Sequence, residues 1–201
     1  MNSENLIFYH VSDAYIEYLR FFVDSKVLFN KSENNARPYV GFVIEINDIN
    51  YLVPLSSKIR KSNEVTTVIP NTFTEAQKLK NAQDKKFSEQ IATIKFNSMI
   101  PVFSDVIEII DLDKLPKNRD GENYKNLLIK EMLFCSENRD KIIKKAQKTY
   151  SIYISKKHYM KEIIESCCNF DLLREKMQVY KDTIQIEKEM LIQASVTEDI
   201  L

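Results

Sequence analysis

The sequence predicts an α+β fold in which a β-rich first half precedes a helical second half. Short runs of β-branched and aromatic residues, bounded by polar turns, recur up to about residue 111. From about residue 123 to 190 the apolar residues recur at helical spacing instead. Strands followed by helices, without regular alternation, are typical of an α+β domain. We therefore expect one domain over residues 1–201, in which residues 187–201 are either a frayed helix end or a tail.

The first half begins with a strand and a helix. After a predicted strand over residues 6–11, Tyr15, Ile16 and Leu19 recur at helical spacing, and Ser12 is the expected N-cap. An antiparallel hairpin follows, with strands over residues 39–46 and 51–55 joined by the turn residues 47–50. Pro54 is expected near a strand end or a sheet edge, because it lacks a backbone N–H. Further strands are predicted over residues 65–69, 91–95 and 106–110.

The second half contains three predicted helices. They cover residues 123–135, 139–155 and 170–190, and a loop is predicted over residues 116–121 because of its proline and glycine. Residues 74–90 are polar and lysine-rich, with some helical character.

Composition excludes several classes of protein. The chain has only two glycines, whereas phosphate-cradling loops need several, so nucleotide-dependent enzymes are not expected. The three cysteines, two of them adjacent, fit neither a disulfide framework nor zinc-ligand spacing. No apolar run approaches the roughly 20 residues of a membrane span, and no secretory signal is evident. We expect a cytoplasmic protein without a cofactor or a metal.

Histidine is the usual general base near neutral pH, and the chain has two, His10 and His158. His10 lies in a predicted strand, where a structural role is the simpler interpretation. His158 lies among Lys156, Lys157 and Tyr159, either as a surface residue or as an RNA contact. The carboxylates are scattered, and no pair has spacing suited to acid–base catalysis.

The densest polar cluster follows the second strand of the hairpin. Ser56 and Ser57 are followed directly by Lys58, and Arg60 and Lys61 come shortly after. Hydroxyls can donate hydrogen bonds to phosphate oxygens, and cations can stabilise the extra charge of a pentacoordinate phosphorus. A polar turn after a strand would give the same pattern, so the cluster by itself leaves both interpretations open.

A basic run covers residues 139–161. It contains a single acid, Asp140, and the net charge is uneven along the chain, since residues 112–181 hold 16 Lys/Arg and 10 Asp/Glu, a net of +6. Lysines and interleaved tyrosines are typical of single-stranded RNA binding, although a solvated helix face is the alternative. The candidate RNA-binding residues are Lys141, Lys144, Lys145, Lys148, Lys156, Lys157 and Tyr159, together with Lys85 and Lys86 from a smaller basic patch.

Four stretches, in order along the chain, resemble the ToxN/AbiQ-type toxins of type III toxin–antitoxin systems. The first is FYHVSDAYIEYL at residues 8–19, and the most specific is RPYVGFVIEINDINYLVPLSSK at residues 37–58. The third is the β-rich run over residues 96–111, which ends in Asp111. The fourth combines residues 124–142 with the CNFDLL of residues 168–173. Together they span most of the chain.

The resemblance implies a strongly curved antiparallel sheet with packed helices, similar to the interferase toxins that cut mRNA. It implies RNA cleavage by the ribose 2′-OH, which leaves a 2′,3′-cyclic phosphate and requires no metal. It also implies inhibition by a small pseudoknot RNA made from repeats, in a cyclic protein–RNA complex, rather than by a protein antitoxin. A role in phage defence by abortive infection follows from the same resemblance.

The resemblance also suggests which residues act. Ser56 and Ser57 match the hydroxyl pair of the family's Pro-Leu-(Thr/Ser)-Ser-Pro-Lys pattern, but here Lys58 follows without the proline, so Lys58, Arg60 and Lys61 all remain candidates for the cation. Arg37 occupies the place of a basic residue that precedes the glycine-containing strand. A family tyrosine further upstream has no match, because that stretch reads SENN at residues 32–35. Ser57 is the expected centre of catalysis, with Ser56 in support and His10 as a candidate acid or base. A non-catalytic RNA-binding protein and a helical adaptor are the alternatives.

Overall fold

A computed structural model describes residues 6–29, 39–59, 61–71 and 90–198 of the chain. Within these ranges the strands are β1 (Phe8–Val11), β2 (Val40–Ile46), β3 (Ile49–Ser56), β4 (Thr66–Pro70), β5 (Gln90–Lys95), β6 (Ile100–Pro101) and β7 (Ile107–Ile109). The helices are α1 (Asp13–Phe22), α2 (Arg119–Glu137), α3 (Arg139–Ser155), α4 (Lys161–Ser166) and α5 (Phe170–Glu198). The predicted α+β class is confirmed.

The strands form one antiparallel sheet with β3 near its centre. The order is β4-β5-β3-β2-β1-β7, and β6 also pairs with β3. On one side β3 pairs with β2 from Ile49 to Pro54, and on the other it pairs first with β6 and then with β5. Since all these neighbours are antiparallel, the end of β3, the start of β2 and the end of β1 meet at the same edge of the sheet.

The β2–β3 hairpin is the most tightly specified part of the sheet. Asn47 and Asp48 both have positive φ, at 51° and 60°, which is the geometry of a two-residue type I′ turn and fits the Asn-Asp sequence. The turn is therefore shorter than the predicted residues 47–50. Pro54 is buried opposite Gly41, between the residues of β3 that pair with β6 and those that pair with β5, so its missing N–H interrupts neither pairing.

The helices cover the sheet through an aromatic core. The Tyr51 ring on β3 contacts Tyr150 of α3 and Phe170 of α5, at centroid distances of 5.5 and 6.2 Å. On α1, Tyr15 is fully buried and its hydroxyl donates to the carbonyl oxygen of Pro101 at 2.8 Å. Burial of this kind, not helix propensity, stabilises most helices in small proteins.

Most predicted elements are confirmed, and the differences have local causes. The helix predicted over residues 139–155 has the same bounds in the structure. The predicted loop over residues 116–121 is partly wrong, because Asn118 caps α2 by accepting from the Gly121 N–H, so the helix begins at Arg119. Helix α4 was not predicted, and α5 continues through Glu198 instead of ending near residue 190. The polar stretch over residues 74–90 lies outside the described residues, apart from Gln90.

Candidate active site

The predicted hydroxyl–cation cluster lies where β3 leaves the sheet. Ser56 is the last residue of β3 and is half-buried opposite the fully buried Thr93 of β5, whereas Ser57 and Lys58 are exposed. The Ser56 Oγ accepts from the Lys58 N–H at 3.2 Å, which closes a short turn. The turn holds the Ser57 and Lys58 side chains at the sheet edge, where a phosphate could reach both.

His10 reaches the same edge from the other side of β2. It pairs with Val40 of β2 and with Glu108 of β7, so two strand spacings, roughly 10 Å, separate its strand from β3. The side chains of residues paired across two strands lie on the same face of the sheet, and successive side chains along one strand point to opposite faces. One further step of the β2–β3 register sets Val40 opposite Leu55. His10 and Leu55 therefore share a face, and Ser56 projects from the opposite one.

The surroundings of His10 favour its neutral form. Burial lowers the pKa of His10 below the ordinary value of 6.5, and the negative charges of Glu108 and Asp13 oppose this shift. Its Nδ1 is buried without a hydrogen-bond partner among the described residues. A neutral imidazole can accept a proton, as a general base must. Sequence reasoning did not single out Glu108 as the neighbour of His10, because the pairing joins strands almost 100 residues apart in the chain.

Lys61 lies in an exposed loop that crosses from β3 to β4. Two turn residues fasten this loop to β4: the Ser62 Oγ accepts from the Val68 N–H at 2.9 Å, and Asn63 accepts from the Thr66 hydroxyl at 2.8 Å. The described part of the loop, residues 61–65, is thus held against β4. Within it, Lys61 is exposed.

Two of the predicted RNA-binding lysines attach helix α3 to β4 and to the loop before it. The Lys145 ammonium donates to the Thr66 carbonyl at 2.6 Å and to the Thr67 hydroxyl at 3.0 Å. Lys148 pairs with Glu64 at 2.8 Å on the surface. Burial lowers the pKa of Lys145. In the free chain, Lys145 therefore holds α3 against β4 and does not point into solvent with its neighbours, a role that its position on the basic helix face did not suggest.

The remaining lysines of the run form two groups. Lys141 and Lys144 are exposed on the same face of α3 as Lys148, and neither has an ion pair within the described ranges. Beyond the end of α3, Lys156 pairs with Asp171 at 3.2 Å. The Lys157 ammonium lies 5.9 Å from the ring centre of Tyr159, which is 72% exposed. We call Lys141, Lys144, Lys148, Lys157 and Tyr159 the basic stripe.

Some predicted residues and features fall elsewhere. Arg37, Arg60, Lys85 and Lys86 lie outside the described residues, so their predicted roles are unchanged. Over the ranges that the structure describes, no group of three His, Cys, Asp or Glu side chains is placed to hold a metal ion. No helix in those ranges is long and apolar enough to span a bilayer.

A cleft lies at the end of β3 opposite to Ser56. Its volume is about 780 Å³, and it is lined by the β2–β3 turn, by residues 102–104 and by α5. Asn50 is the lining residue nearest to Ser56 along β3, and the six residue steps between them span about 20 Å. Because cations such as Arg174 and Lys181 alternate with carboxylates such as Asp171 and Glu175, this cleft is less suited to a phosphate than the Ser57 edge.

A central strand ends in two hydroxyls and a lysine beside a basic helix, on an α+β fold, and these are groups that can donate to and neutralise a phosphate ester. The family model described as "Toxin ToxN, type III toxin-antitoxin system" matches residues 7–178. The chain belongs to this family, as the resemblance predicted.

Known relatives agree with this assignment. The chain is 36% identical to the Endoribonuclease ToxN of Bacillus thuringiensis subsp. kurstaki over 191 residues, which cover 93% of this chain and 90% of the relative. It is similar to the solved structure of a bacterial type III toxin that a non-coding RNA pseudoknot inhibits, with a TM-score of 0.71, 34% identity, and coverage of 89% of this chain and 99% of that one. The structure of AbiQ, a lactococcal anti-phage endoribonuclease, is also similar, with a TM-score of 0.63, 26% identity, and coverage of 89% and 99%.

Proposed function

We propose that this chain is a sequence-specific, metal-independent endoribonuclease that uses the ribose 2′-OH as its nucleophile. The observation that carries the proposal is the exposed Ser57–Lys58 pair at the end of β3, in a chain whose family relatives are endoribonucleases. The substrate supplies the nucleophile, so the protein needs only to bind the phosphate, accept one proton and return another.

In the proposed reaction, a base removes the proton of the 2′-OH and the 2′ oxygen attacks the adjacent phosphorus. The bond from phosphorus to the 5′ oxygen then breaks, and that oxygen takes up a proton, leaving a 2′,3′-cyclic phosphate and a 5′-OH. Ser57 donates a hydrogen bond to a non-bridging oxygen, and Ser56 supports it by closing the turn. Lys58 and Arg37 bind the phosphate and stabilise its added charge, with Arg60 or Lys61 as the alternative cation. Neutral His10 is the candidate base.

The biological setting follows from the family. A similar toxin is inhibited by a non-coding RNA pseudoknot, and AbiQ is an anti-phage enzyme. We propose that a small pseudoknot RNA, cut from a repeat transcript by this chain itself, inhibits this chain in a cyclic protein–RNA complex in the cytoplasm. No protein antitoxin is then required, and release of the toxin during phage infection would cut mRNA and stop growth.

Cleavage by the purified protein tests the proposed chemistry. We expect a single-stranded RNA transcript to be cut at specific positions in excess EDTA as fast as in its absence. The upstream fragments should resist 3′-end ligation until acid opens the cyclic phosphate and a phosphatase removes the resulting monophosphate, and the downstream fragments should carry a 5′-OH. Loss of cutting in EDTA, or 5′-phosphate ends, would reject the 2′-OH mechanism. RNA binding without any cutting would favour a non-catalytic RNA-binding protein.

The basic stripe is expected to bind the inhibitor RNA outside the active site. Replacing Lys141 and Lys144 by glutamate should weaken RNA binding. The slope of log Kd against the logarithm of the salt concentration should fall by about one for each phosphate that these lysines neutralise. The measurement is RNA binding across a salt series, with Lys114→Glu as control, because Lys114 is an exposed lysine in the loop before α2, outside the basic stripe. An unchanged salt slope in the double variant would place the RNA on another surface.

A further inference from the structure

The C-terminal half of α5 projects beyond the part of the chain that the family model matches. That match ends at residue 178, whereas the helix continues through Glu198. Tyr180 still packs on α1, with its ring centre 4.7 Å from that of Tyr18. Beyond it, Ile186, Met190, Leu191 and Ile192 are 52–71% exposed. We call residues 181–195 the arm. Four large apolar side chains lie within seven residues, on more than one face of the helix. Such a segment is expected to be buried against another surface, although it is exposed in the single chain.

A second apolar surface lies at the end of α1. Phe21 is 83% exposed, and Phe22 and Phe29 are each about half exposed. The Arg20 guanidinium lies 4.3 Å from the ring centre of Phe29 and donates to the carbonyl of Ser25, and it has no carboxylate partner among the described residues. We call Phe21, Phe22, Phe29 and Arg20 the aromatic patch. It combines exposed rings with a cation.

The arm does not cover the aromatic patch of its own chain, since Leu191 is 71% and Phe21 83% exposed. Phe22 contacts Tyr18, and Tyr18 contacts Tyr180, so the patch lies beside Tyr180. Leu191 is eleven residues further along a continuous helix, about 16 Å away along its axis. Because this helix is continuous and both surfaces are exposed, the arm tip is free to pack on the aromatic patch of a second chain.

The charges of the arm favour the aromatic patch of a second copy as the surface that it packs on. The arm holds Lys181 and Lys188 against Asp182, Glu187 and Glu189, a net of −1, and Lys188 is paired with Asp105 of its own chain at 2.7 Å. The acids nearest the exposed apolar residues are Glu187 and Glu189. They complement the cation of the aromatic patch.

We propose that two copies of this chain form a closed dimer in which each arm tip packs on the aromatic patch of the other copy. Antiparallel α5 helices that cross near residue 185 bring Leu191 of one chain beside Tyr180 of the other, and so beside its aromatic patch. Such a pairing is isologous and closes with two-fold symmetry, the commonest form of homo-oligomer. The exposed side chains of the arm and patch offer on the order of 800 Å² per chain, the amount that each partner contributes to a standard interface.

The mass of the nucleic-acid-free, full-length chain in solution tests this dimer. Sedimentation equilibrium should give twice 23.6 kDa at micromolar concentration. Leu191→Glu and Phe22→Glu should each reduce the mass to that of the monomer, with unchanged circular dichroism because both side chains are exposed. Leu133→Glu is the matched control, since Leu133 is 56% exposed on α2 and lies outside both surfaces. It should remain dimeric. A monomeric wild-type chain over the whole concentration range would overturn the proposal.

Cross-linking identifies which surfaces meet. The native cysteines at 135, 167 and 168 are buried, so introduced surface cysteines will dominate oxidation. Chains carrying Leu191→Cys, mixed with chains carrying Phe22→Cys, should form the mixed disulfide. If Leu191→Cys chains instead join only to one another, the arms pair with each other. The proposed packing of each arm tip on the other copy's aromatic patch is then wrong.

Discussion

Ser57→Ala is expected to lower the single-turnover cleavage rate by about 10²–10³-fold, the loss that follows removal of one donor to a developing oxyanion. The side chain is exposed at the end of β3 and makes no hydrogen bond within the described residues, so its removal costs the fold little. Affinity for the inhibitor RNA should be retained, because the basic stripe is unchanged. The measurement is the rate of RNA cleavage with enzyme in excess, together with growth of cells that express the variant without its RNA.

Two comparisons make the Ser57 result specific. Ser56→Ala should have a smaller effect, because Ser56 accepts from the Lys58 N–H and its loss loosens the turn without removing the proposed donor. Ser104→Ala should cut at the wild-type rate, since Ser104 is an exposed serine at the far end of β3 and, among the described residues, its Oγ bonds only to the adjacent Asp105. Full cleavage and full toxicity of Ser57→Ala would remove Ser57 from the mechanism.

Gly41→Ala is expected to destabilise the protein by about 3 kcal/mol, near the upper end for overpacking in a core. A methyl group at this position would overlap the Val53 carbonyl oxygen across the hairpin and lie 2.6 Å from Leu52 Cδ2. The leucine side chain can rotate away, but the backbone oxygen belongs to the sheet and cannot. The effect should also reach the active site, because Gly41 and Pro54 face each other two residues before Ser56.

The measurement is urea denaturation of Gly41→Ala against wild type. Glu45→Ala is the matched control on the same strand, since Glu45 is exposed and its replacement should change stability by less than about 0.5 kcal/mol. A loss below about 1 kcal/mol in Gly41→Ala would show that the β2–β3 spacing can widen to accept a methyl group.

Elements with a strong local signal were predictable. The β-branched and aromatic residues of β2 and β3, with turn residues between them, specify a hairpin by themselves, and the apolar spacing of α3 gives its bounds without error. The bounds or the existence of a helix were not predicted where they depend on a capping hydrogen bond or on tertiary contacts. The start of α2 depends on one hydrogen bond from Asn118, and the short helix α4 has no buried residue and hence no apolar pattern. The extension of α5 carries exposed apolar residues without a turn residue to mark its end.

The sequence by itself determined the chemistry available to this protein: hydroxyls and cations after a buried strand, a basic helix, few glycines, and the family to which the chain belongs. These depend on residue type and on spacing over a few positions, which the linear order records. Only the tertiary structure decided which of these groups meet. Strand pairing brought Glu108 to His10 and set Ser56 on the face opposite to His10, and packing turned Lys145 from the solvent toward β4. Such contacts join residues that are far apart in the chain, and the register and packing of the whole sheet, not any local pattern, determine them.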